Sequence, residues 1–412
     1  MFDYSSAFQA VRTTLEREDR YRVFQQILRD SADFPHAIWA GPAGERRVTV
    51  WCTNDYLGMG RHPDVIRAMV ETAQTTAVGA GGTRNISGNS AAICALERDL
   101  AALHGKSAAL VFSSGYVANQ SAIATIAQVL PDCVILSDSD NHNSMIEGVR
   151  RSGRDRVIFP HNDLVTLETM LAKIPAERPK LIVFESVYSM DGDVAPIAEM
   201  TALARRYGAL TYLDEVHAVG LYGAHGAGYA EEIGVMGEID IVQGTLGKGF
   251  GCFGGYIAAS AEIIDAVRST AGGFIFTTAL PPPVAAAAHA AINHLRWSNV
   301  ERQGQRSQVV KTKARLAELG IPVLSNPTHI VPVMIGDSAK AKAASDMLLE
   351  RHGLYIQPIN YPTVPRGTER LRITPTPFHS DVMIEALCLA LVDVFERLAL
   401  PRALTSLKVA AE

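Results

Sequence analysis

Several things are scarce in this chain, and each scarcity removes a class of protein. Only five cysteines occur in 412 residues: Cys52, Cys94, Cys133, Cys252 and Cys388. They are odd in number, widely spaced and without a CxxC pair, so neither a disulfide framework nor a zinc site is expected. No uninterrupted apolar stretch reaches about 18 residues, and the Ala-rich run 284–292 is short and broken by His289, so no membrane span is expected. Charge of one sign never accumulates. The formal net charge is -5 with 20% charged residues, which leaves no basic patch for nucleic acid. The first thirty residues include Arg12, Glu16, Arg17, Glu18, Asp19 and Arg20. They lack the apolar core of a signal peptide and are too acidic for a transit peptide. A soluble chain in a reducing cytoplasm is the expectation.

What is present is apolar material, 48% of the chain, enough for a sizeable core. Residues 1–50 read as a polar, helical arm. From 51 to about 290, short apolar runs alternate with amphipathic helices. The runs are Ala108 to Phe112, Val134 to Leu136, Leu181 to Phe184, Leu210 to Leu213 and Ile239 to Val242. Between them, Ile93, Leu96, Leu100 and Leu103 fall on one helical face closed by Gly105, and a second helix from Ile197 to Arg206 ends at Gly208. This alternation predicts a mostly parallel sheet covered by helices. The segment 291–398 reads as a smaller α+β domain, with helices at about 298–319, 338–352 and 380–398, and 399–412 as a tail.

Ligands collect at the carboxyl ends of strands in such sheets, so the polar residues just past each apolar run are the candidates. Asp214 directly follows one run, and His217 comes three residues later. A carboxylate there can pair with a protonated pyridine nitrogen and keep a cofactor an electron sink; the bland alternative is a capping Asp at a solvated strand end. The segment Gly244-Thr245-Leu246-Gly247-Lys248-Gly249-Phe250-Gly251 encloses one of nine lysines in glycines and apolar residues. Desolvation of such an amine lowers its pKa and suits Schiff-base chemistry. A Walker loop needs four residues between its first glycine and the Gly-Lys pair and a following Ser or Thr, which this segment does not provide. A plain glycine turn is the other alternative. Ser113-Ser114-Gly115-Tyr116-Val117-Ala118-Asn119 joins a strand to a helix and forms an anion site or a simple N-cap. His142 lies past the run ending at Leu136, where an imidazole can stack on a cofactor ring or serve as an ordinary loop residue.

Taken together, Asp214-x-x-His217 and Lys248 resemble the fold-type I pyridoxal-phosphate enzymes. Gly247-Lys248-Gly249-Phe250-Gly251, Pro362-Thr363-Val364-Pro365 and Arg370-Leu371-Arg372 resemble the α-oxoamine synthases among them. The segments from Trp51 to Gly60, Gly81 to Gly88, Glu185 to Gly192 and Gln357 to Asn360 are similar to the branch that condenses glycine with succinyl-CoA. The resemblance runs from about residue 20 to about 398. It implies that Lys248 bonds the aldehyde of pyridoxal 5'-phosphate and moves protons, that Asp214 pairs with the pyridine nitrogen, and that His217 approaches the phenolic oxygen. It further implies that His142 stacks on the ring. Ser114, Gly115, Tyr116 and Thr245 hold the phosphate, with Thr277 reaching in from a partner subunit of a homodimer. Asn54, Ser189 and Arg372 orient the glycine carboxylate, and a guanidinium suits that task by two-point binding. Arg22, Asn85, Ser137 and Thr363 surround the far carboxylate of succinyl-CoA, and Thr83 crowds any amino-acid side chain larger than hydrogen. The cluster Arg150, Arg151, Arg154 and Arg156 offers a basic mouth for CoA phosphates or a solvated helix end. Gly249 departs from the family's usual Ala, and Cys-Pro haem-regulatory pairs are absent, which fits a bacterial chain without a presequence. A sister synthase, an aminotransferase of the same fold type and a silent cofactor-binding regulator are the competing readings.

Overall fold

In the computed structural model, which describes residues 2–402, the chain divides into two compact units. The expected tail over 399–412 lies outside the described residues from 403 onward. Residues 54–189 and 193–303 form the larger unit, and residues 2–53, 190–192 and 304–402 the smaller.

The larger unit is built on a seven-stranded sheet. Its strands in chain order are β1 (Ala108–Phe112), β2 (Val134–Asp138), β3 (Asp155–Phe159), β4 (Lys180–Glu185), β5 (Ala209–Asp214), β6 (Ile241–Thr245) and β7 (Gly255–Ala259). Across the sheet the order is β1-β7-β6-β5-β4-β2-β3. The run β6-β5-β4-β2-β3 is parallel, and β7 is antiparallel to both neighbours. Central strands buried on both faces carry continuous apolar runs, as parallel sheets require; β2 and β4 are buried at every position. Helix α1 (Gly115–Val129) follows β1 and helix α2 (Asn143–Ser152) follows β2. α1 buries Ala118, Ala122, Ile123 and Ile126 against Leu110, Ile135, Leu181 and Tyr212 of the sheet. The helix predicted from Ile93 spans Ala91–Leu103, with Gly105 at φ +61° just beyond it. The second ends at Gly208, whose φ of +63° makes a left-handed cap.

The smaller unit differs from the expected arm. Only Tyr4–Arg17 is helical; Ile27–Arg29, His36–Gly41 and Gly44–Val50 are antiparallel strands, joined on the far edge by Leu354–Tyr355 running parallel to the third. Ala37 and Trp39 alternate with exposed or half-buried neighbours, as do Val48 and Val50, which is the period-two signature of a one-sided sheet. A second sheet orders Val331–Met334, Arg370–Ile373 and Pro358–Ile359, all antiparallel. Its core joins Trp51, Leu316, Val331, Leu371, Leu387 and Phe395.

Candidate active site

The carboxyl ends of β2, β4, β5 and β6 and the start of α1 surround one cavity of about 130 Å³. Gly115, Tyr116, His142, Asp214, His217, Thr245 and Lys248 all line it, together with Asn119, Ser144, Glu185 and Val216. Seven of the residues expected from sequence are thus gathered in one place.

Each is positioned by its element. Asp214 ends β5, and the chain then turns so that the Val216 N–H donates to Asp214 Oδ1 at 2.8 Å. Asn119, one turn into α1, donates to Oδ2 at 2.7 Å. The neighbour Glu215 points the other way and is wholly engaged in structure, accepting from Ser186 Oγ at 2.6 Å and from the N–H groups of Tyr229 and Ala230. Burial pushes Glu215 up to about 7 despite those bonds. Burial also raises the Asp214 carboxyl, while Asn119, the Val216 N–H and the charge of Lys248 act to lower it. A buried anion facing a cavity is stable when a cation fills that cavity, which is what a protonated pyridine nitrogen offers.

Lys248 Nζ lies 2.7 Å from His217 Nε2, and His217 Nδ1 lies 2.9 Å from the Tyr56 hydroxyl. Tyr56 in turn donates to Asn54 Oδ1 at 3.2 Å. One tautomer satisfies the whole chain: Lys248 donates to Nε2, and the Nδ1–H of His217 donates to Tyr56. The four residues therefore form one directed line of hydrogen bonds that starts at the amine and ends at Asn54 Oδ1.

His142 is the N-cap of α2, with Nδ1 2.7 Å from Ser144 Oγ and its ring edge-on to Tyr116 at 6.2 Å. Burial, aided by the Lys248 charge, lowers His142 to about 4, so it is a neutral aromatic ring at pH 7. At the opposite end, Ser114 caps α1 by accepting from the Val117 N–H at 3.1 Å. Thr245 Oγ1 donates to the Gly254 carbonyl and accepts from the Gly247 N–H. The first turn of a 15-residue helix beside a threonine hydroxyl and a glycine is a fitting seat for a phosphate. A cation-seeking carboxylate, an amine, a flat neutral ring and an anion seat in one cavity fit pyridoxal 5'-phosphate.

The remaining expected residues sit elsewhere in their units and do not line this cavity. Ser137 is buried on β2 and accepts from Asn141 Nδ2 at 2.9 Å. Thr83 heads a turn over Arg84–Gly88 that includes the exposed Asn85, and it bridges Thr278, next to Thr277. Asn54 is exposed, and Ser189 ends its segment of the larger unit. In the smaller unit Arg22 donates to Thr363 Oγ1 at 3.2 Å, and both line a separate cavity of about 450 Å³ with Lys342, Tyr355 and Tyr361. Arg372 is buried in the strand Arg370–Ile373. Of the arginine cluster, Arg154 donates to the carbonyls of Ala127 and Gln128, and Arg150 pairs with Glu147.

Sequence reasoning does not single out Asn119, Ser144, Glu185 or Tyr56. Glu185 had a signal, since it directly follows the run Leu181 to Phe184. Asn119 follows Gly115 by four positions, which puts both on one side of α1.

Comparison with known proteins points the same way. Residues 46–391 match the family described as Aminotransferase class I and II. A 5-aminolevulinate synthase of Bradyrhizobium diazoefficiens is 59% identical over 399 residues, covering 97% of this chain and 98% of that one. The mitochondrial 5-aminolevulinate synthase of Schizosaccharomyces pombe is 53% identical over 97% of this chain and 72% of its own length. Among solved structures, a serine palmitoyltransferase of Sphingomonas wittichii superposes with a TM-score of 0.88 at 30% identity, covering 97% of this chain and 98% of that chain.

Proposed function

We propose the activity below from the premise that the chain belongs to the class I and II aminotransferase family and, within it, to the 5-aminolevulinate synthases. The enzyme condenses glycine with succinyl-CoA, dependent on pyridoxal 5'-phosphate, and releases CoA, CO2 and 5-aminolevulinate for haem biosynthesis. The observation that carries the residue assignment is the meeting of Lys248, His217 and Asp214 in one cavity at the ends of neighbouring strands.

When bound, pyridoxal 5'-phosphate supplies an electron sink for the pair left on the amino acid's α-carbon. Lys248 is the amine that would hold the cofactor and, once free, would take the α-proton and later return one. His217 steadies Lys248 Nζ and would serve the cofactor's phenolic oxygen. Asp214 keeps the pyridine nitrogen protonated, and its bonds from Asn119 and Val216 hold the carboxylate ionised for that task. His142, a neutral imidazole lining the cavity, would pack against the cofactor. Ser114, Gly115, Tyr116 and Thr245 take the phosphate, with Thr277 supplied by the partner of a cytoplasmic homodimer.

Asn54, Ser189 and Arg372 orient the glycine carboxylate. Thr83 leaves room for hydrogen alone on the α-carbon, which favours glycine over larger amino acids. Arg22 and Thr363, joined by a hydrogen bond, belong with Asn85 and Ser137 to the far carboxylate of succinyl-CoA. No helix among the described residues is long and apolar enough to cross a membrane.

The test is CoA release measured across amino acids and acyl-CoA esters. Release should require both glycine and succinyl-CoA. Equal release with serine or a long-chain ester would overturn the substrate assignment, and transfer of the amino group to a keto acid would overturn the reaction class.

A further inference from the structure

Glu185 has no part in the roles described above, yet it closes β4, is 3% exposed and lines the cofactor cavity. Its Oε1 accepts the backbone N–H of His142 at 2.6 Å. On the adjacent strand its register partner is Asp214. Register partners on neighbouring parallel strands point to the same face, roughly 4.8 Å apart. Two carboxyl groups are therefore buried side by side, and such a pair does not carry two charges at once.

The hydrogen bonds decide where the single charge resides. Asp214 accepts two donors, from Asn119 and Val216. Glu185 accepts one, from the His142 backbone. Donors aimed at a carboxylate favour its ionised form, so Asp214 takes the charge and Glu185 the proton. The other groups that face Glu185 are Asp138 on β2, Tyr188 beyond β4, His142 at the head of α2 and Lys248 past β6. Asp214 and Asp138 oppose a negative charge on it, and the His142 N–H and Lys248 favour one. Burial first, and then the Asp214 charge, raise the Glu185 carboxyl well above the usual carboxylate range.

We propose that Glu185 is a further positioning residue of this site: a neutral carboxylic acid whose carbonyl oxygen anchors the His142 backbone and whose proton leaves Asp214 the sole anion facing the cofactor ring. The inference rests on the cofactor site described under the proposed function. It makes the neutral isostere and the truncation behave differently. Glu185→Gln keeps an acceptor and stays uncharged. Glu185→Ala removes the acceptor, freeing the turn that aims His142.

The experiment compares the parent, Glu185→Gln and Glu185→Ala as cofactor-loaded enzymes and as apoproteins. The Gln variant should hold cofactor affinity and the KM for glycine within about threefold of the parent. The Ala variant should lose about tenfold or more in both, the scale of a lost supporting hydrogen bond. In the apoprotein at pH 7, the infrared difference between the parent and Glu185→Gln should contain the carbonyl stretch of a protonated carboxyl. A Gln variant as damaged as the Ala variant, an Ala variant like the parent, or a difference spectrum with only ionised-carboxylate bands would each overturn the inference. The infrared arm needs neither cofactor nor a folded Ala variant. Failure of the parent to bind pyridoxal 5'-phosphate would defeat the site reading, and the infrared arm would still decide the state of Glu185.

Discussion

His161 lies between two carboxylates, with Nδ1 2.9 Å from Asp138 Oδ1 and Nε2 2.7 Å from Asp193 Oδ2. Burial alone would lower its pKa; the bonds to Asp138 and Asp193 more than reverse that and carry it up to about 10. It is therefore a cation at neutral pH, neutralising the buried Asp138. Asp138 also accepts the N–H groups of Asp140 and Asn162, so it shapes the turn that leads to His142. Replacing His161 by Asn leaves two carboxylates facing each other without a cation. We expect a loss of about 2–4 kcal/mol in unfolding free energy, shifted below the range of about 3–5 for breaking fully buried pairs because the His161 side chain keeps 26% exposure. Denaturant titration of His161→Asn measures it; a loss under about 0.5 kcal/mol, the size of a surface substitution, would show the cluster to be dispensable. Asp214, His142 and Lys248 were legible because each follows an apolar run, Asp214 directly and the other two in the polar or glycine-rich turn beyond it. His161 and Asn119 were not, because their importance comes from partners at distant positions, Asp193 for one and Asp214 for the other.

Elements were legible where periodicity was strong. The run Ala108 to Phe112 is a strand to the residue, and the helix from 338 to 352 is found as Ser338–His352. β3 and β7 were missed for different reasons. β3 is an edge strand that leaves four of its five residues exposed or half-buried; it opens on Asp155 and Arg156, and its short Val157-Ile158-Phe159 run was passed over. β7 reads Gly-Tyr-Ile-Ala-Ala, whose small residues carry no strand signal. Its Gly255 nevertheless sets the shape of the phosphate seat. It pairs with Phe112 of β1 and Thr245 of β6, and a Cβ there would come within 2.3 Å of the Gly115 backbone nitrogen. Backbone cannot yield as a flexible side chain can, so Gly255→Ala must push the start of α1 away from β7. Overpacking of this kind costs about 1–3 kcal/mol. Cofactor affinity should fall by about tenfold or more, because donors that no longer converge lose their shared anion. Equilibrium dialysis of the variant reads this directly, and an affinity equal to the parent's would show that α1 does not have to stand so close to β7.

At the scale of the whole molecule, chain order hides the division into units. Residues 190–192 depart from the larger unit for a stretch of three and join the smaller, where Arg370 donates to Asp191. No composition change marks so short an excursion. Ionisation is likewise a property of the whole fold, and it predicts failure on the alkaline side. Burial raises the thiols of Cys52, Cys133, Cys252 and Cys388, the last three to about 11 or 12. The unfolded chain releases those protons near pH 9 while the native protein still holds them. Their contribution is complete below that pH and is lost as pH rises toward the native values. His161 acts in the same direction over its own window, from about 6.5 to about 10. Lys106 and Lys313 act oppositely, because burial lowers both and the native state releases their protons first. Tyr188, Tyr212, Tyr256 and Tyr355, also raised by burial, join the thiols near pH 10, so groups that hold their protons longer in the native state outnumber the buried Lys106, Lys313 and Arg370 that release theirs early. Each proton of that difference lowers stability by about 1.4 kcal/mol per pH unit. Denaturant unfolding under reducing conditions, followed from about pH 8 to about pH 10.5, should show stability declining with increasing steepness above about 9. Stability that stays level or climbs across that interval would mean that the buried thiols reach solvent and titrate freely in the native state.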